Sequence, residues 1–267
     1  MYKLGFIGAG NMGSALLAAA AKGINPKEIA VCDHFPEKAE QVAKTYGTVA
    51  TDILDIAKNC KFIFLGVKPQ VMSDMLCEIK EVLKARRERV ILVSMAAGLS
   101  LSKLANFCEC ELPIIRIMPN TPVLVGEGMV LYCENQMVTK DETEEFLSIM
   151  KNGGEFQKLD EALFDAGCAV SGCGPAFVYM FIKALADGGE DAGLDGEVSK
   201  KLACQTLIGA AKMVMNSEKA PNTLKEEVCS PGGCTIEGVK HLESDSFENT
   251  VKGAVAAAYN KSKKMGE

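Results

Sequence analysis

Three groups of residues have types and spacings that could do chemistry, and the first is Gly8-Ala9-Gly10-Asn11-Met12-Gly13. In G-x-G-x-x-G spacing each glycine has its own role. Gly8 permits a tight turn, Gly10 lets the backbone approach a pyrophosphate, and Gly13 lets a helix press on a strand. The unpaired N–H groups and positive dipole end of that helix would face the phosphates. Asp33 lies twenty residues beyond Gly13. An acid there, closing a second strand, would accept hydrogen bonds from an adenosine ribose and repel a 2′-phosphate. It also fits an ordinary turn aspartate before Pro36, and His34, as a cation, could receive that phosphate. The cofactor is therefore NADH or NADPH, with a lean to NADH.

The second group is three loops loaded with small residues and proline. Val67-Lys68-Pro69-Gln70 would follow a strand, at the end where open α/β sheets bind ligands, so Lys68 could reach ribose or phosphate oxygens. A solvated lysine is the plain alternative, although Pro69 fixes the backbone beside it. Ser94 to Ser100 contains Ala96, Ala97 and Gly98, which leave room for a flat nicotinamide. Arg116 to Pro122 reads Arg-Ile-Met-Pro-Asn-Thr-Pro. Its two prolines lock the geometry, and the Asn120 amide can pair with the nicotinamide carboxamide. For Arg116 a structural ion pair and a functional cation stand level.

The third group lies in the second half, where Ser171-Gly-Cys-Gly-Pro-Ala176 and Ser230-Pro-Gly-Gly-Cys-Thr235 each place small residues just before a helix start. Exposed N–H groups there make a nest for an anion, and the Thr235 hydroxyl can add a directional bond. Either alone is a tight turn; the two together favour a carboxylate pocket.

The elements that must hold these groups alternate in the first half. Strands are expected from Tyr2 into the glycines, at Ile29–Cys32, Phe62–Val67, Val90–Ser94 and Ile114–Ile117, and then at Met129–Cys133 and Glu155–Leu159. Helices fall between them: Ser14–Ala21, one opened by Pro36 with Ala39, Val42, Ala43 and Tyr46 inward, one with Val71, Met75, Ile79, Val82 and Leu83 inward, and Asp141–Met150. Short apolar strands separated by amphipathic helices make a parallel, doubly wound (Rossmann-type) α/β sheet. After Glu161 the strand signal stops and helices take over, from Pro175, at Val198–Met215, and in a last one striped by Val251, Ala254, Val255, Ala258 and Tyr259 that Ser246 could cap. The expected domains are 1–160 for the dinucleotide and 161–267, all helix, for substrate and dimerisation. The helical faces are rich enough in Ala, Leu, Val and Met to require a second chain, so an obligate dimer is expected.

Composition narrows the partner. A net charge of −6 without a basic block disfavours nucleic acid, leaving a small molecule. No apolar run is expected to span a bilayer and no signal peptide is evident, which places the protein in the cytoplasm without a membrane partner. The eleven cysteines are odd in number and scattered, as reduced thiols are. Cys108 and Cys110 are close, but no second pair or nearby histidine completes a zinc set, so no metal is expected.

The motifs Gly8 to Gly13, Val67 to Gln70, Ala96 to Gly98, Met118 to Pro122, Ser171 to Ala176 and Ser230 to Ile236 resemble the pyrroline-5-carboxylate reductase family, nearly end to end. Glu227-Val-Cys-Ser-Pro-Gly-Gly-Cys-Thr-Ile-Glu-Gly is the most specific part. The resemblance implies reduction of the cyclic imine 1-pyrroline-5-carboxylate to L-proline by hydride from NAD(P)H, the last step of proline biosynthesis. It implies a homodimer with interlocked helical domains, often assembled into decamers, and an active site shared between a dinucleotide domain and its partner's helices. The substrate carboxylate would sit on backbone N–H groups near Gly233, Cys234 and Thr235, after Ser230, with the Thr235 hydroxyl near the ring nitrogen; Ser171, Glu161 and Glu218 would line the pocket. The chain departs from the family pattern at Cys173, Cys234, Lys183 and Ile53, which weakens the adenosine contacts most.

Only two histidines are present, His34 and His241, and no lysine or tyrosine is evidently placed as a proton donor. A cyclic imine can arrive protonated, so holding the iminium carbon against the nicotinamide and excluding water suffices. His241, in an expected helix, reads as structural. Two other classes share parts of the pattern. A β-hydroxyacid dehydrogenase would need a helical catalytic lysine, for which Lys183 is the nearest candidate; a non-catalytic dinucleotide sensor would have no use for Ser230 to Thr235.

Overall fold

The computed structural model describes residues 1–266. Strand β1 (Tyr2–Ile7) is buried from Leu4 onward and turns through the glycines directly into α1 (Asn11–Ala21), which starts at Gly10 without a side-chain cap. The wholly buried β2 (Ile29–Cys32) leads to α2 (Pro36–Tyr46), opened by Pro36 and closed by Gly47 at φ +74°. Two short elements follow, β3 (Val49–Ala50) and α3 (Ile53–Asn59), the latter capped by Asp52, which accepts the Asp55 N–H at 2.7 Å. Next come β4 (Cys60–Leu65), α4 (Pro69–Ala85), β5 (Ile91–Ser94), and α5 (Leu101–Cys108), capped by Ser100. Then β6 (Ile114–Met118), β7 (Gly128–Glu134), α6 (Lys140–Met150) with a Thr139–Glu142 capping box, and β8 (Gly154–Lys158) complete the sheet.

The eight strands lie in the order β3-β2-β1-β4-β5-β6-β7-β8. All neighbours are parallel except β6 and β7, which pair antiparallel, Ile115 opposite Glu134 and Met118 opposite Leu131. Residues 119–127 are too few for the dozen or more that a parallel crossover needs, so the chain folds straight back. Alternation along β1 sends Leu4 and Phe6 to a layer with α1, α2 and α6, and Ile7 to a layer with α3, α4 and α5. Phe6 and Phe64 stack with ring centroids 4.4 Å apart.

Details of three elements differ from the sequence expectations. The inward stripe of α4 is Met72, Met75, Leu76, Ile79 and Leu83, while Val71 is 48% exposed, because at 100° per residue it falls off that stripe. The fourth strand begins at Cys60 and ends at Leu65, so Gly66 and Val67 belong to the turn. Ser246 precedes the last helix in a left-handed conformation, φ +58°, and its backbone carbonyl, which accepts the Thr250 N–H at 3.0 Å, opens the ladder.

The described chain divides into two compact units, Met1–Gly172 with the end of the last helix from Ala258, and Cys173–Ala257. In the first, α7 (Phe164–Gly167) passes into a π-turn at Cys168–Gly172. Then come α8 (Gly174–Asp191), α9 (Gly196–Met215), α10 (Pro221–Glu227), α11 (Cys234–Ser244) and α12 (Phe247–Gly266). Gly189 lets α8 and α9 approach closely: a Cβ there would lie 2.1 Å from the Ser199 hydroxyl. Only Ala186 of α8, and Ser199 and Ala203 of α9, are buried; Met180 (72% exposed), Met215 (76%) and Leu202 (53%) face outward. Glu161–Asp191 forms one helical stretch of 31 residues, long and apolar enough by length and composition to cross a membrane. That corrects the expectation that no such run exists: Gly172 ends the π-turn, and Gly174 and Pro175, which read as a break, form the first turn of α8.

Candidate functional site

The three glycines of the first turn differ in what surrounds them. Gly8 has φ +107°, and a Cβ on it would lie 2.6 Å from the Gly66 carbonyl oxygen; a Cβ on Gly13 would lie 2.3 Å from the Gly8 oxygen. On Gly10 it would meet nothing within 4 Å. Two glycines are thus closed by the protein's own backbone and the middle one is open outward. The Ser14 N–H pairs with the Gly10 carbonyl at 2.8 Å, so the N–H groups of Asn11, Met12 and Gly13 precede the helical ladder and mark an anion cradle.

Asp33 acts on this turn from inside the unit. Its Oδ2 accepts the Ala9 N–H at 2.7 Å and its Oδ1 accepts the Phe35 N–H at 3.0 Å. The carboxylate therefore ties the end of β2 to the glycine turn while keeping its charge beside it. His34 is exposed, edge-on to the Phe35 ring.

Lys68 is exposed immediately before α4, whose first residue is Pro69, while Val67 packs on the α3–α5 layer. Ala96 is 3% exposed and belongs to the same core layer, with its N–H bonded back to the Ser94 hydroxyl at 3.3 Å. Gly98, at φ +76°, borders a cavity of about 370 Å³ shared with Ser100, Arg116, Glu161, Asp165 and Lys263. Here Arg116 is structural: it is buried, donates to Glu161 Oε1 at 2.8 Å, and lies over the Phe164 ring at 4.7 Å. The same Glu161 oxygen accepts the Leu101 N–H at 2.7 Å. Glu161→Ala strips a buried guanidinium of its anion and should lower stability by about 3 kcal/mol. Urea unfolding at fixed protein concentration measures this, and Glu161→Gln, which keeps an acceptor, should lose less.

Asn120 is 8% exposed, and both ends of its amide are engaged: Oδ1 accepts the Met129 N–H at 2.9 Å and Nδ2 donates to the Ser171 carbonyl at 3.0 Å. The amide expected to pair with a nicotinamide carboxamide thus has one protein partner at each end. The Ser171 hydroxyl donates to the Gly167 carbonyl at 3.0 Å, at the end of α7; the π-turn ends at Gly172 and α8 begins at Gly174, with Cys173 as the turn residue between them.

The second small-residue loop keeps the expected form. Gly232 has φ +72° and Gly233 starts α11 without a side-chain cap, its N–H bonded to the Ser230 carbonyl at 3.0 Å. A Cβ on Gly233 would lie 2.5 Å from the Ser230 hydroxyl. Cys234 and Thr235 are exposed on the first turn, where N–H groups have no helical acceptor. Glu218 is exposed between α9 and α10. Lys183 pairs with Asp187 one turn away on its own helix, and His241 is exposed, 3.7 Å from Asp245.

Among the described residues no cluster could hold a metal ion, and none of the eleven cysteines is in a disulfide. Burial pushes the Cys32, Cys60, Cys108 and Cys133 thiols up to about 12, so these four are packing groups.

Residues 161–265 match the family described as pyrroline-5-carboxylate reductase dimerisation, and residues 3–98 match one described as NADP oxidoreductase, coenzyme F420-dependent. The chain is 38% identical over 268 residues to the pyrroline-5-carboxylate reductase of Escherichia coli (strain K12), spanning 99% of this chain and 98% of that one. It superposes on the Plasmodium falciparum pyrroline carboxylate reductase with NADP bound at TM-score 0.89, 37% identity, covering 100% of this chain and 98% of that one. For a pyrroline-5-carboxylate reductase from Coxiella burnetii the values are 0.90, 30%, 100% and 99%.

Proposed function

The chain belongs to the pyrroline-5-carboxylate reductase family, and on that premise we propose that Gly8 to Gly13 seat the cofactor pyrophosphate and that the start of α11 seats the substrate carboxylate. The enzyme is an NAD(P)H-dependent oxidoreductase that reduces 1-pyrroline-5-carboxylate to L-proline, the last step of proline biosynthesis, and it is dimeric. The observation that carries the cofactor assignment is the open space over Gly10 between two glycines closed by backbone.

When bound, the reduced nicotinamide supplies the hydride. The chain's part is placement. Asn11, Met12 and Gly13 offer N–H groups to the pyrophosphate, Lys68 reaches the ribose or phosphate oxygens, and Ala97 and Gly98 leave a flat surface for the ring. In the helical unit, the N–H groups of Cys234 and Thr235 hold the carboxylate, Ser230 shapes the loop beneath them, and the Thr235 hydroxyl contacts the ring nitrogen. Glu218 lines the same pocket. This division of labour corresponds to domains 1–160 and 161–267, of which residue 267 lies outside those described. The reading extends to a cytoplasmic enzyme whose dimers assemble into decamers.

Oxidation of NADH and of NADPH at equal concentration, with pyrroline-5-carboxylate as substrate, tests the reaction and its cofactor together. We expect turnover with both and a preference for NADH, because the Asp33 charge stands beside the turn. Asp33→Asn removes the charge and keeps one acceptor, so NADPH should gain about tenfold on NADH. Asp33→Ala removes both acceptors and should weaken both cofactors, read by quenching of dinucleotide fluorescence as well as by KM. An unchanged NADPH/NADH ratio in both variants would take Asp33 out of cofactor choice.

A further inference from the structure

We propose that Asn120 is a positioning residue: its carboxamide stands in for two missing backbone partners, and so fixes the Cys168–Gly172 π-turn against the loop at the carboxyl end of β6 and the start of β7. The inference rests on the site reading above, which places ligand-bearing loops at this end of the sheet.

The first missing partner follows from the register. Ile114 and Asn135 bond across the antiparallel pair, through the Asn135 N–H to the Ile114 carbonyl at 3.0 Å, and Met118 lies opposite Leu131. Continuing that ladder sets Asn120 opposite Met129 and requires the Asn120 backbone carbonyl to receive the Met129 N–H. That carbonyl instead closes the turn around Pro122, accepting the Val123 N–H at 3.2 Å. The Met129 N–H goes to the Asn120 side-chain oxygen at 2.9 Å.

The second follows from a proline. In a continuing α-helix the Ser171 carbonyl would receive an N–H from residue 175, and Pro175 has none. The Asn120 Nδ2 supplies the donor at 3.0 Å. A π-turn sits at this point and not elsewhere in the stretch, and such turns concentrate where a chain carries function. The Arg116–Glu161 pair ties the same strand to the start of the same helical stretch, and Asn120 adds a fastening further along it.

A double-mutant cycle with Asn120→Ala and Pro175→Ala separates this role from direct contact with the cofactor. Pro175→Ala returns an N–H to the helix, so the Ser171 carbonyl no longer depends on Asn120. With Pro175 present, Asn120→Ala should lower kcat by about tenfold or more while the dissociation constant for NADPH stays within about twofold; in the Pro175→Ala background the same change should cost about threefold or less. Urea unfolding should show the same coupling, with the midpoint falling further when Pro175 is present. Equal losses in both backgrounds, or a loss confined to NADPH affinity, would overturn the proposal, the latter in favour of an amide that touches the nicotinamide. Should Asn120→Ala fail to fold, Asn120→Ser, too short to reach both partners, runs the same cycle. If the unmodified enzyme does not reduce the imine, the functional reading fails, and the unfolding cycle still tests Asn120.

Discussion

Gly10→Val is expected to abolish measurable NAD(P)H binding and leave the thermal midpoint where it is, while Gly13→Ala is expected to do damage of the opposite order. Gly10 has φ −71° and ψ 179°, a conformation open to any residue, and a Cβ there meets nothing in the protein. The fold gives no reason for glycine at this position; the reason lies outside, in what must come within van der Waals distance of the backbone. An isopropyl group there would hold a pyrophosphate off the N–H groups of Asn11, Met12 and Gly13. Losing even two charge-assisted hydrogen bonds, at about 1.5–3 kcal/mol each, weakens binding by more than about a hundredfold. Gly13 faces inward. A Cβ 2.3 Å from the Gly8 oxygen has no flexible neighbour to displace, because Gly8 is itself held against Gly66, and α1 must lift from β1. We expect Gly13→Ala to lose about 3 kcal/mol of stability, with cofactor binding falling as a consequence. Circular-dichroism melts and fluorescence titration of both variants decide the matter. Normal cofactor affinity in Gly10→Val would mean that the pyrophosphate does not lie over Gly10.

The long, strongly patterned elements were legible in the sequence: β1 with its glycine turn, the alternation through β6, and the long helices α8, α9 and α12. The short ones were not. α3 spans seven residues and α5 eight, too few for a 3.6-residue period to stand out, yet each carried a start signal in its cap, Asp52 and Ser100. The antiparallel turn-back between β6 and β7 was hidden in a loop read for its chemistry, when its length already excluded a crossover. The internal partners of Asn120 and the burial of Ala96 were hidden in the same way. A polar amide between two prolines and an alanine after a strand both suggest a ligand, but a proline also strips the backbone of a donor, and Pro175, distant in sequence, leaves the Ser171 carbonyl to the Asn120 amide.

The unpaired apolar faces of α8 and α9 were legible because composition alone carries them. Phe181, Met180, Leu185, Leu202, Ile208 and Met213 are more than one-third exposed in a single chain, and the segment that bears them belongs to a dimerisation family. Hydrophobic area of this kind is stable only when a second copy covers it. The loop at the start of α11, proposed to seat the substrate carboxylate, therefore sits on elements that the dimer covers, and measurements on it must be made at protein concentrations where the dimer persists.

Thr235→Ala, tested under that condition, should lower turnover by about ten- to a hundredfold and leave NAD(P)H affinity unchanged. The start of α11 has no side-chain cap, so its first N–H groups are left to the carboxylate we propose there, which they would hold without the Thr235 hydroxyl. What the hydroxyl adds is direction. A protonated imine nitrogen donates to it, and a hydrogen bond to a charged group contributes about 1.5–3 kcal/mol, which sets the size of the loss. Because that bond fixes the angle at which the iminium carbon faces the hydride donor, its absence should appear in kcat more than in substrate KM. Thr235→Ser keeps the hydroxyl and should recover most of the rate; Thr235→Val keeps the shape and should not. Steady-state kinetics with varied pyrroline-5-carboxylate separate these outcomes, and a valine variant that turns over normally would remove Thr235 from the mechanism.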